Sequence, residues 1–186
     1  MDKIYICDLI PISLDVPTNI SGSNVGKLLL QYAFNKMNID ITKHEIVFNE
    51  FKKPSIPSIS YHYNISHDEN LVCVIISDKE VGIDLEYINL NRDVEKLAKK
   101  VFSKDSYLKF CNLNTLSEKV EYFYKYWVQY ESYVKLLGSS INRHYKEEIP
   151  TYEVLTIYDN INHKYYLSTS SKEFEIIRID INELMR

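Results

Sequence analysis

An α+β fold is predicted, with two similar α+β halves in one chain and a cleft between them, and three observations support it. Strand-like and helix-like segments follow the order strand, helix, strands, then strand, helices, strands. The second series starts near residues 78–81 with no linker, so the halves are expected at 1–80 and 81–186. At 186 residues, 45% hydrophobic and 26% charged, the chain has the apolar content of packed cores rather than of a disordered segment.

Residues 4–14 read as the first strand. Ser23 opens a helix in which Val25, Leu28, Leu29, Tyr32, Ala33 and Met37 form one apolar stripe. EIVFNEF (45–51) reads as a strand, followed by a loop set by Pro54 and Pro57. SYHYNIS (60–66) and LVCVIIS (71–77) are strands around the polar turn HDEN. A second polar turn, SDKE (77–80), leads into VGIDLEYI (81–88), so 71–88 reads as a β-hairpin. From Asn91 the pattern turns helical, through RDVEKLAKKVF and then SKDSYLKFC. Thr115 and Glu118 have the spacing of a capping box, in which side chain and backbone at a helix start bond reciprocally. They open a long helix that ends at Gly138, where a left-handed glycine can close it. Its apolar stripe is Phe123, Trp127, Tyr130, Val134 and Leu137. YEVLTIY, HKYYLST and FEIIRIDI are three further strands.

Several function classes are excluded at this level. A net charge of −4 and a pI near 5.8 leave no basic excess to neutralise phosphates, which argues against a general nucleic-acid binder. Cys7, Cys73 and Cys111 form no CxxC pair, and the five histidines lack the spacing of a zinc motif. No apolar run reaches the ~20 residues of a membrane helix, and the first residues lack the pattern of a secretion signal. A cytoplasmic protein without a membrane contact is expected.

In the long helix, Trp127, Glu131 and Lys135 recur at i, i+4 and i+8, and the last two lie beside the apolar stripe rather than opposite it. In VGIDLE the strand period of two puts Val81, Ile83 and Leu85 on one face and Gly82, Asp84 and Glu86 on the other. Two carboxylates roughly 7 Å apart along a strand repel each other unless a cation or solvent relieves them. A hard cation such as Mg²⁺ takes one or two carboxylates together with substrate phosphates and water. Asp84, Glu86 and Glu131 form a candidate set for it.

The segments 52-KKP-54, 64-NISH-67, 82-GIDLE-86, 102-FS-103 and 127-WVQYESYVK-135 occur in the order seen in one enzyme family. The chain resembles the 4′-phosphopantetheinyl transferases over residues 45–140, in their longer single-chain, Sfp-type form rather than the short trimeric form. The resemblance implies a transferase that moves the phosphopantetheine arm of coenzyme A onto a serine of an acyl or peptidyl carrier protein and releases 3′,5′-ADP. It implies Mg²⁺ held by Asp84, Glu86 and Glu131, with Glu131 as base and Lys135 offsetting charge on the transferring phosphate. His67 and the backbone at Ser66 would contact nucleotide phosphates, Lys53 and Pro54 would line the nucleotide pocket, and Trp127 would wall the cleft. The residues after the metal strand, 87–111, would meet the carrier, through any of Phe102, Tyr107, Leu108 and Phe110 that are not core. A monomer is expected. The alternative is a non-catalytic relative that kept the fold as a binding or scaffold protein.

Two departures from the family pattern bear on coenzyme A binding. Tyr130 stands where a lysine usually precedes the helix glutamate, so Tyr130→Lys is expected to restore a phosphate-binding cation. Before residue 44 the only basic residues are Lys3, Lys27, Lys36 and Lys43, which suggests a shortened N-terminal region with Lys27 as the remaining phosphate contact. Removing Asp84 or Glu86 is expected to leave the fold intact or firmer, because each relieves a like-charge pair.

Overall fold

The computed structural model describes residues 1–10 and 21–185. The chain runs through β1 (Asp2–Asp8), α1 (Gly22–Asn35), β2 (Val47–Phe48), β3 (Pro54–Ser55), β4 (His62–Asp68), β5 (Leu71–Ser77) and β6 (Ile83–Tyr87). It continues through α2 (Val94–Val101), α3 (Lys104–Cys111), α4 (Leu116–Leu137), β7 (Val154–Tyr158), β8 (Lys164–Thr169), β9 (Phe174–Ile179) and α5 (Ile181–Leu184). This is a mixed α+β fold. Residues 11–14 of the expected first strand lie outside the described residues, and the expected strand at 45–51 shrinks to the two residues of β2.

The run LVCVIIS is buried at every position, as a strand with neighbours on both edges and cover on both faces must be. Its neighbours are β4 and β1, in a sheet ordered β4-β5-β1-β9. The expected hairpin over 71–88 therefore does not form. Both edges of β5 are occupied, and β6 pairs antiparallel with β8 instead, in a second sheet ordered β6-β8-β7. The hairpin is one step earlier, where β4 and β5 pair from His62–Ser77 to Asp68–Leu71. The last strand, read with residues 81–186, crosses back: β9 lies parallel to β1 in the first sheet.

Three apolar clusters order the layers. Val72, Val74 and Ile76 of β5 face α1 through Val25, Leu29 and Ala33. The alternate residues Leu71, Cys73 and Ile75 face Ile83, Leu85, Tyr165 and Leu167 of the second sheet. The other face of that sheet, at Tyr166 and Val154, is covered by α2, α3 and α4. The long helix starts and stops as its sequence dictates, with both bonds of the Thr115–Glu118 capping box formed and Gly138 left-handed at φ 57°. Phe102 and Phe110 are core residues of the third cluster, while Leu108 is exposed.

Where the two sheets meet, the edge strands β4 and β6 form no backbone ladder. Alternate side chains of β4 take its place. Asn64 Oδ1 accepts from Ile83 N at 2.9 Å, Ser66 Oγ from Leu85 N at 3.3 Å and Asp68 Oδ2 from Tyr87 N at 2.7 Å. Each bond spans 19 residues, so the two strands run parallel at one fixed register. At the far end, Asn70 Nδ2 donates to Asp159 Oδ2 at 3.0 Å and the Tyr165 hydroxyl accepts from Asn70 N at 3.2 Å.

Asn64→Ala should leave the buried Ile83 N–H without an acceptor. Leaving such a donor unsatisfied costs about 1–3 kcal/mol. Urea unfolding should show a loss of that size, with faster amide exchange at Ile83; an unchanged midpoint and unchanged exchange would contradict the ladder's role.

Candidate active site

The site begins with a missing side chain. A Cβ on Gly82 would stand 2.0 Å from the Ser132 carbonyl oxygen and 2.5 Å from the Leu136 nitrogen. Only glycine lets α4 lie this close to the face of β6 that carries Asp84 and Glu86. Ser132 fastens the same contact by donating to Ser168 O at 2.8 Å. The helix then delivers Glu131 and Lys135, one turn apart, over the strand carboxylates.

One oxygen from each of Asp84, Glu86 and Glu131 lies within 4.8 Å of the others. Asp84 is almost wholly buried. Its Oδ1 accepts from Lys135 Nζ at 2.5 Å and from Ser66 Oγ at 2.9 Å. Lys135 Nζ also donates to Ser66 Oγ at 2.9 Å and lies 4.0 Å from Glu131 Oε2. The second Asp84 oxygen, Oδ2, is buried with no hydrogen-bond partner. A buried carboxylate oxygen left unpartnered among other carboxylates fits a hard divalent cation, because oxygen ligands of this kind are what Mg²⁺ takes.

Burial is the first cause of the unusual acidities here. It pushes Glu86 up to about 7, helped by repulsion from Asp84 and then Asp68 and opposed by the Trp127 hydrogen bond and Arg92. Burial pushes Glu131 up to about 8, with Asp84 raising it further and Lys135 pulling it back. Asp84 is raised by burial as well, against the pull of Lys135. Lys135 is raised: burial lowers it, but attraction to Asp84 and Glu131 wins.

The other expected site residues separate into those the fold brings to the cluster and those it does not. Ser66 belongs to it. Trp127 also reaches it: the ring is 8% exposed and stacked on Phe123, with Nε1 donating to Glu86 Oε1 at 3.0 Å. His67 follows Ser66 on β4 and so points the other way, where Nε2 meets Ser23 Oγ at 3.1 Å beside the start of α1. Lys27 is exposed one turn along from Ser23. Lys53 is engaged structurally, with Nζ bonding Glu80 Oε2 at 2.6 Å and Leu136 O at 3.0 Å at the C-terminal end of α4. Pro54 pairs with Phe48 in the small β2–β3 ribbon. Arg92 has no part in the expected set, yet Nη1 is 3.3 Å from Glu86 Oε2. No spacing rule marks it, since it sits in the loop before α2.

Tyr130 corrects an expectation. It is fully buried, donates to Ile141 O at 2.6 Å and stacks on Tyr126 and Tyr145, so a lysine there would enter an aromatic core rather than a phosphate site. The expected gain from removing Asp84 is offset, because the half-buried Lys135 would lose its 2.5 Å ion pair and keep the 4.0 Å one with Glu131.

The family model of the 4′-phosphopantetheinyl transferase superfamily matches residues 80–178, which is 99 of the 186 residues. The chain belongs to that superfamily. It is similar to the 4′-phosphopantetheinyl transferase gsp of Aneurinibacillus migulanus, 33% identical over 122 residues that make up 64% of this chain and 49% of that protein. The 4′-phosphopantetheinyl transferase Sfp of Bacillus subtilis strain 168 is 31% identical over 124 residues, 63% of this chain and 52% of its own. HetI of Nostoc sp. PCC 7120, also named a 4′-phosphopantetheinyl transferase, is 36% identical over 80 residues, 42% of this chain and 33% of its own. The chain spans about half the length or less of these curated relatives. No helix among the described residues is long and apolar enough to cross a membrane.

Two outcomes are expected. Glu86 and Glu131 bind protons more tightly folded than unfolded, so between about pH 4.5 and 8 stability should fall as pH rises. In EDTA the Tm should drop from pH 6 to pH 8.5, and Mg²⁺ should raise it more at pH 8.5 than at pH 6; a Tm indifferent to Mg²⁺ at both values would contradict the site. Tyr130→Lys should lose about 3 kcal/mol or more, from the broken aromatic stack and a buried ammonium, in a denaturant melt. Wild-type stability for that variant would show the position to be solvent-accessible.

Proposed function

We propose that this chain is a Mg²⁺-dependent 4′-phosphopantetheinyl transferase, which moves the phosphopantetheine arm of coenzyme A to a serine of an acyl or peptidyl carrier protein. The observation that carries the reading is the set Asp84, Glu86 and Glu131 within 4.8 Å, with Asp84 Oδ2 unpartnered. In this reading the two sheets belong to two halves, and the active site lies in the cleft where β4, β6 and α4 meet.

Asp84, Glu86 and Glu131 would hold Mg²⁺, which when bound neutralises negative charge on the diphosphate and on the leaving group. The serine oxygen forms a bond to the phosphorus that carries pantetheine, and the bond from that phosphorus to the bridging oxygen breaks. The electron pair leaves with 3′,5′-ADP. Glu131 takes the serine proton, directly or through a water, as a carboxylate placed at the edge of the cluster. Lys135 brings a positive charge to the same edge and offsets charge on the transferring group. In-line positioning and charge neutralisation carry such reactions, and both are tasks for fixed side chains. His67, Ser23 and Lys27 share one accessible face at the start of α1, where exposed phosphate groups of coenzyme A can be met by charge-assisted bonds.

The scaffold reading is disfavoured by the cluster itself, since three close carboxylates are costly to keep without a metal to bind. The direct test incubates an apo carrier protein with coenzyme A, Mg²⁺ and this chain, and weighs the carrier intact. The carrier should gain the phosphopantetheine mass. Asp84→Asn and Glu86→Gln, which keep shape and remove charge, should reduce modification to background with an unchanged circular dichroism spectrum. An unmodified carrier with the wild-type chain would favour the scaffold reading, and full turnover by either variant would overturn the ligand assignment.

A further inference from the structure

We propose that Trp127 is a positioning residue for Glu86: its indole N–H, together with Arg92, fixes the carboxylate in the orientation that meets the metal. Both Glu86 oxygens are held by protein donors, Oε1 by Trp127 Nε1 at 3.0 Å and Oε2 by Arg92 Nη1 at 3.3 Å. An indole nitrogen only donates, so the bond has one possible sense. The indole cannot turn away. Phe123 stacks on it with ring centroids 5.9 Å apart and planes at 15°, Tyr130 packs at 5.9 Å, and the Arg92 guanidinium lies 5.6 Å from the ring. Without these donors, repulsion from Asp84 would favour Glu86 rotamers that point away from the cluster. Partners of this kind orient metal-binding side chains, and their loss typically weakens metal binding about 10–100-fold.

The inference rests on the metal reading above, and the chain carries its own probe for separating the two. Trp127 is the sole tryptophan, so indole emission reports this contact alone. Mn²⁺, a paramagnetic quencher, is titrated into the full chain while heat and emission are both followed. Emission should fall along the same isotherm as the heat and recover when Mg²⁺ displaces Mn²⁺. Trp127→Phe keeps the ring stack and loses the donor without changing charge. It should bind Mn²⁺ about tenfold more weakly. Its transfer activity should return at raised Mg²⁺ with the KM for coenzyme A unchanged, a pattern that mere loss of packing would not give. Arg92→Lys, which keeps charge but not the planar fork, should show a smaller loss. Mn²⁺ heat with constant emission, or an equal Kd in Trp127→Phe, overturns the inference and leaves the metal site standing. A wild type that binds no Mn²⁺ overturns both. If Trp127→Phe fails to fold, the wild-type emission and Arg92→Lys decide.

Discussion

The side-chain bonds from Asn64, Ser66 and Asp68 to the backbone of β6 set the constraint on which the site depends. Strand β6 is an edge of its sheet, and its outward N–H groups need acceptors. The adjacent edge strand supplies them through side chains, at one residue in two, which matches the period at which an edge strand's N–H groups point outward. The register follows from that match. A slip of one residue would turn Ile83 and Leu85 toward α4 and bury Asp84 and Glu86 in the apolar layer between the sheets. Ser66 joins the ladder to the site, since its hydroxyl bonds Leu85 N, Asp84 Oδ1 and Lys135 Nζ together.

Around that frame the chain holds charges that repel one another. Asp84 is balanced by Lys135, and Glu86 by Arg92 and Trp127, while Glu131 has a longer ion pair with Lys135 at 4.0 Å and a weaker attraction to Arg92. Removing one member of a buried pair is more damaging than the pair is stabilising, because the survivor stays buried and uncompensated. The proposed metal reading gives this arrangement a use that stability alone does not. Gly82 serves the same end, since any side chain there would push α4, and with it Glu131, off the strand.

What could be read from the sequence alone is what depends on local chemistry. The capping box at Thr115–Glu118 and the closing glycine at 138 act within a few residues, and α4 spans nearly the expected segment. The strand alternation in GIDLE likewise fixed which side of β6 bears carboxylates. Pairing partners were harder, because proximity along the chain suggested a β5–β6 hairpin. The six consecutive apolar residues 71–76 of β5 are the available sign of a central strand, whose edges are both taken. The parallel β1–β9 pair has no local signature. Tyr130 lay on the apolar stripe and its burial was legible there, while Asn64 and Asp68 were missed because polar alternation on a strand usually means solvent. Arg92 reaches Glu86 only through the fold of the loop before α2.

Anomalous diffraction from crystals of the chain soaked in Mn²⁺ tests the central claim most directly. The account predicts one strong peak bounded by Asp84, Glu86 and Glu131, with Asp84 Oδ2 among its ligands. A peak elsewhere, or an empty cluster with Lys135 still bridging Asp84 and Ser66 at saturating Mn²⁺, would contradict it.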